Sequence, residues 1–106
     1  MDTSQLLKGV LDLAVLAVLE RGDGYGYDVV RGLRAAGLQE VGDASVYGTL
    51  RRLYNAGLLT SYVVPSEEGP HRKYYSLNAP GRDRLRETAK TWRAFAETME
   101  GLVGAA

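Results

Sequence analysis

The apolar positions fall into blocks with different periods. In Ser4–Arg21, Leu6, Leu7, Val10, Leu11, Ala14, Leu16, Ala17, Val18 and Leu19 leave little polar surface. That pattern predicts a helix buried in a core or against a partner. Gly22-Asp23-Gly24 is expected to end it through a left-handed glycine. Over Tyr25–Ala36, Tyr27, Val30 and Leu33, with Val29, recur at helical spacing. This predicts a second helix with Tyr27 in the core and Gly37 as its stop. Over Asp43–Ala56, Val46, Leu50 and Leu53, with Tyr54, form an i, i+4, i+7 apolar stripe, with Asp43 or Ser45 as the cap and Gly57 beyond the end. The opposite face carries Ser45, Thr49, Arg51, Arg52 and Asn55, with Tyr47 to one side.

The period then changes. Leu58–Val64 and Arg72–Leu77 are rich in β-branched and aromatic residues, and Pro65–Pro70 lies between them. They predict a β-hairpin with a long tip. Asn78 caps a fourth helix with Pro80 in its first turn. Along that helix Leu85, Ala89 (or Thr88), Trp92, Phe95, Ala96, Met99 and Leu102 alternate steps of three and four, a heptad-like seam. Together with the apolar first helix it carries more apolar surface than a three-helix domain can cover, which predicts a homodimer. The alternative is a helix folded back on its own chain.

Composition narrows the chemistry. There is no cysteine, so disulfides and thiolate sites are excluded, and with His71 the single histidine a histidine metal site within one chain is not expected unless subunits share ligands. No phosphate-cradling glycine loop or nucleophile constellation is present. No catalytic residue, metal or cofactor is therefore expected. The apolar run Leu6–Leu19 contains Lys8 and Asp12 and is too short to span a bilayer. A cytoplasmic protein with no membrane partner is expected. The net charge of zero hides a polarity: residues 1–43 carry net −3, residues 44–93 net +5 and residues 94–106 net −2. A positive block can hold a polyanion on a neutral chain, although a solvated charged face reads the same way.

Three helices followed by a hairpin is the winged helix-turn-helix order. It suits DNA: a recognition helix enters the major groove, and Arg and Lys neutralise phosphates. Ser45, Tyr47, Thr49, Arg51 and Arg52 are the candidates on that helix. His71, Arg72 and Lys73 are candidates at the wing, unless Glu67 and Glu68 pair with them. Tyr25 belongs either to the core or to a phosphate site at the start of the second helix. Tyr74 and Tyr75 point to opposite faces of their strand, one inward and one outward.

The blocks LLKGVLDLAVLAVLERGDGYGYDVV, ASVYGTLRRLYNAGLLTS and GPHRKYYSLNAPGRDRL, in this order, resemble the PadR family of bacterial transcriptional regulators over roughly residues 5–100. Gly48 departs from the proline that many relatives carry after the tyrosine, and Asn55 and Ala56 stand where relatives often have charges. The resemblance implies a mainly α fold with a small β-hairpin: a winged helix-turn-helix DNA-binding domain at 1–77 and a C-terminal dimerisation helix at 78–106. It implies repression at palindromic operators on double-stranded DNA, relieved by a small ligand. The short C-terminal extension is similar to the compact, multidrug-sensing subfamily. There the matching tryptophan stacks on flat aromatic ligands, which assigns that role to Trp92 with Phe95 beside it. The alternative is a winged-helix module that binds protein. The cluster Arg51, Arg52, Arg72 and Lys73 speaks against it, since such a module needs no positive charge on both helix and hairpin.

Overall fold

The computed structural model describes residues 3–104; the chain ends of both expected domains lie outside the described residues. Its elements are α1 (Ser4–Arg21), β1 (Gly24–Tyr25), α2 (Gly26–Ala35), α3 (Asp43–Asn55), β2 (Leu59–Val64), β3 (Arg72–Leu77) and α4 (Ala79–Val103). This is a mainly helical winged helix-turn-helix fold. The wing is larger than the hairpin pattern implies, because β1 adds to it in the order β1-β3-β2.

Glycine punctuation accounts for the helix ends. Gly37 and Gly57 have φ of 120° and 81°, which only glycine adopts without strain. In both places the following residue reaches back to close the helix: Leu38 N–H donates to the Leu33 carbonyl and Leu58 N–H to the Leu53 carbonyl. Gly22 differs from expectation. Its φ of 167° is extended backbone, so α1 ends by straightening. Gly42, not Asp43 or Ser45, is the N-cap of α3. Asp43 sits in the first turn and receives Arg34 Nη2 at 2.9 Å, and the same nitrogen donates to the Val41 carbonyl at 3.0 Å. One arginine of α2 therefore ties both the turn and the start of α3.

Leu16 and Leu19 of α1, Val30 and Leu33 of α2, and Val46, Leu50 and Leu53 of α3 form the centre of the core. Leu58, Leu59, Leu77 and Leu85 close it from below the wing. Leu85, expected on the intermolecular seam, is instead buried within its own chain. Beyond it α4 leaves the core: Trp92, Phe95, Met99 and Leu102 are exposed, so the helix does not fold back over its apolar stripe.

The root of α4 is tightly built. Asn78 Oδ1 accepts the Gly81 N–H at 2.8 Å, and Asn78 Nδ2 donates to the Gly57 carbonyl at 3.0 Å. Gly81 is buried, and a Cβ there would lie 2.2 Å from the Leu58 carbonyl oxygen. We therefore expect Gly81→Ala to destabilise the fold by about 1–3 kcal/mol through overpacking. Urea unfolding checks this; an unchanged midpoint would mean that the α4 root tolerates a methyl group.

Candidate nucleic-acid interface

At 3.6 residues per turn, the buried side of α3 (Val46, Thr49, Leu50, Leu53) leaves Ala44, Gly48, Arg51 and Asn55 pointing outward. Tyr47 and Tyr54 lie on one flank of that outward line, and Ser45 and Arg52 on the other. Thr49, expected among the exposed candidates, is only 6% exposed and belongs to the core side. The residue lies 100° round the helix from Gly48, just inside the edge of the apolar stripe.

Tyr47, Arg51 and Tyr54 form an i, i+4, i+7 stripe whose two ends are anchored on other elements. At one end the Tyr47 ring packs on the start of α2, where a Cβ on Gly26 would lie 2.3 Å from Tyr47 Cε1. At the other end Lys73 Nζ sits 4.8 Å from the Tyr54 ring centroid and 5.5 Å from that of Tyr75. Tyr54 meets Tyr75 edge-on, with centroids 6.4 Å apart. The stripe thus runs from the amino end of α2 to the wing. Its Tyr54, expected with the apolar stripe of the helix, is instead exposed. Its anchoring role requires knowing which lysine reaches the ring.

Strand alternation separates the wing's two cations. Arg72 lies on the Tyr74 face, and Lys73 on the Tyr75 face. On the first face Arg72 covers the half-buried Tyr25 ring at 4.7 Å. Tyr25, Tyr74 and Tyr62 follow in a row with centroid spacings of 5.5 and 5.6 Å, the last pair stacked at 15°. The row ends on Asp23, whose carboxylate accepts the Tyr62 hydroxyl at 2.7 Å. That hydrogen bond holds the Tyr62 hydroxyl above its usual titration range. Tyr27, expected in the core, is 47% exposed with Arg31 over its ring at 5.7 Å. Val29, Val30 and Leu33 supply the inward face of α2 in its place. The backbone N–H of Tyr25 points to Asp28 Oδ2 at 3.4 Å, so a carboxylate of the chain itself already occupies part of this helix start.

The expected basic cluster is divided in a second way. Arg52 donates to Asp12 of α1 through both terminal nitrogens, at 2.9 and 2.5 Å. It therefore faces α1 and not the outward side of α3. The guanidinium holds the Asp12 carboxyl below its ordinary range, and Asp12 raises Arg52 in turn. Among the described residues, Arg51 has no ion-pair partner, and neither Glu67 nor Glu68 pairs with the exposed His71, Arg72 or Lys73. The described residues hold no cluster of three or more metal-ligating side chains, and none of their helices is long and apolar enough to cross a membrane.

A third feature lies on the other side of the molecule. Between α1 and α4 runs a groove of about 1040 Å³ walled by Leu6, Leu13, Trp92, Phe95 and Met99, with Asp12 and Arg52 at its polar edge.

The architecture and the anchored outer face of α3 define a winged helix-turn-helix protein. Residues 15–87 match the transcriptional regulator PadR-like family, and the chain belongs to it: it is a PadR-family transcriptional regulator. A PadR-like transcriptional regulator of Bacillus cereus is 32% identical, with 94% of this chain and 97% of that one covered and a TM-score of 0.82. A PadR-family regulator of Eggerthella lenta is 31% identical over 93% of this chain and 86% of that one, with a TM-score of 0.84. Bacillus subtilis PadR in complex with operator DNA shares the fold at 24% identity and a TM-score of 0.69, over 76% of this chain and 46% of that one.

The Asp12–Arg52 pair makes a signed prediction. A carboxyl held below its unfolded value stabilises the fold above that value, and the benefit is lost as pH falls through the folded one. Asp12→Asn should lower stability near neutral pH by up to about 1 kcal/mol, the scale of an exposed pair. The gap to wild type should close as the solution is acidified below about pH 4. Denaturation at several pH values reads this, and a gap that widened in acid would contradict the pairing.

Proposed function

We propose that the protein is a sequence-specific DNA-binding repressor that acts as a homodimer on a palindromic operator and releases it when a small aromatic ligand enters the dimer interface. The observation that carries the DNA reading is the outward line of α3. Arg51 and Asn55 project from it beside the small residues Ala44 and Gly48, with Ser45 near the helix start. A major groove admits a helix of this kind, and Arg, Asn and Ser are base-edge readers. Tyr47 and Tyr54 brace the line against α2 and the wing. His71, Arg72 and Lys73 at the wing, with Tyr25 behind Arg72, supply phosphate or minor-groove contacts. Arg52 and Thr49 have no direct part in this reading: one is engaged by Asp12 and the other is buried. A module built to bind protein would have no use for unneutralised Arg51, Arg72 and Lys73 flanking one helix. Acting on DNA places the protein in the cytoplasm.

The dimer reading rests on apolar surface that a single chain leaves open. Trp92 is 44% exposed, Phe95 59% and Leu102 73%, all on one side of α4 with Ala89, Ala96 and Met99, and Leu6 of α1 is 64% exposed nearby. The groove beside Trp92 and Phe95 is of the size and character that hold flat aromatic molecules.

Lys73→Ala should weaken binding to the operator and reduce the slope of log affinity against log salt by about one, as expected when one phosphate contact is lost. An identical slope would remove Lys73 from the phosphate contacts. Sedimentation equilibrium at micromolar concentration should give the mass of two chains, and Phe95→Glu should shift it toward one by placing a charge in the seam. A wild-type mass of one chain would refute the dimer.

A further inference from the structure

The root of α4 is the part of the molecule on which the dimer's geometry rests. Gly81 and Leu85 are the buried residues of α4, and both lie in its first two turns. From Arg86 onward the helix is mostly exposed; its chief helical neighbour is α1, and a groove of about 1040 Å³ opens between the two. It is 25 residues long, about 37 Å at 1.5 Å per residue. It therefore extends as an arm held by this short root and by its contact with α1. At that root Asn78 performs two tasks with two atoms. Its Oδ1 caps α4 by accepting the Gly81 N–H, and its Nδ2 grips the carbonyl of Gly57, the glycine that ends α3. Gly81 adds close backbone approach to Leu58, where any Cβ would collide with the carbonyl oxygen.

We infer that Asn78, through its amide bond to Gly57, is the positioning residue that fixes the direction of α4 relative to α3, and thereby sets the separation of the two recognition helices in the dimer. The inference rests on the dimer proposed above. Its physical content is leverage. A swing of about 5° at the root moves the far end of a 37 Å helix by about 3 Å, close to the 3.4 Å rise of one base-pair step. A small loss of angular definition at residue 78 is thus converted into a loss of register along DNA. A cap alone requires only an acceptor, which serine or aspartate also provides. The grip on α3 requires the amide donor.

The absence of cysteine permits a direct test. Ala44→Cys places one spin label on the exposed first turn of α3 in each chain, and double electron–electron resonance measures the distance between the two labels in the DNA-free dimer. Asn78→Ser is then added, keeping a cap acceptor while losing the reach to Gly57. The labelled parent should give one narrow distance. The Ser variant should remain dimeric and helical by sedimentation and circular dichroism, and its distribution should shift or broaden by about 3 Å or more, the displacement of the swing above. Superimposable distributions in a dimeric variant would overturn the inference and leave the dimer standing. A labelled parent with no interchain distance would overturn the dimer and the inference with it. Should Asn78→Ser fail to fold, Asn78→Asp carries the same reading, since it keeps the acceptor of the Gly81 N–H and loses the donor to Gly57.

Discussion

Two of the four helices carry more apolar surface than a chain of this size can enclose, and the architecture follows from how that surplus is divided. α1 gives Val15, Leu16 and Leu19 to the centre, where α2, α3 and the strands of the wing close around them. α4 gives only Leu85 and the buried backbone at Gly81. Hydrophobic burial is proportional to the area removed from water, and the rest of α4's stripe stays outside the core. The remaining apolar residues of α4 and the amino-terminal half of α1 face each other across an open groove. The same surplus separates the molecule into a compact reading unit and a projecting helix.

Electrostatics then sorts the cations that composition counts together. Arg34 is engaged in the turn between α2 and α3, and Arg52 is held by Asp12. Arg72 and Lys73 lie over tyrosine rings, an arrangement worth about 0.5–1 kcal/mol at exposed sites. A cation over a ring keeps its charge toward solvent, whereas a bidentate carboxylate neutralises it. Near α3 the usable positive charge is therefore reduced to Arg51 and the wing, while five of the nine basic residues of the middle segment, Arg82, Arg84, Arg86, Lys90 and Arg93, lie on α4.

Elements governed by local rules were readable from the chain alone. The α1 limits, the β3 limits, the closures at Gly37 and Gly57 and the Asn78 cap each depend on residues within a turn or two of one another. What was not readable depends on distant partners. β1 is two residues long and exists because Tyr25 finds Tyr74. Arg52 turns away from the outward side of α3 because Asp12, forty positions earlier, lies opposite. Thr49 and Tyr27 sit at the edges of their apolar stripes, where periodicity assigns a side only to within a residue's width. The anchoring of α3 through Tyr47 and Tyr54 combines both cases: the spacing is visible in sequence, but the supports at Gly26 and Lys73 appear only in three dimensions.

The contact between Gly26 and Tyr47 ties the fates of two positions 21 residues apart. The space that a side chain at position 26 would need is already filled by the ring, so neither site varies freely. An alanine at 26 requires the Tyr47 ring to move and meets no such demand beside a small residue at 47, which makes the effect of one substitution conditional on the other. Change at position 47 is thereby channelled. Replacements at 47 that keep a flat ring keep the demand for glycine at 26, and those that lose it release position 26 to change.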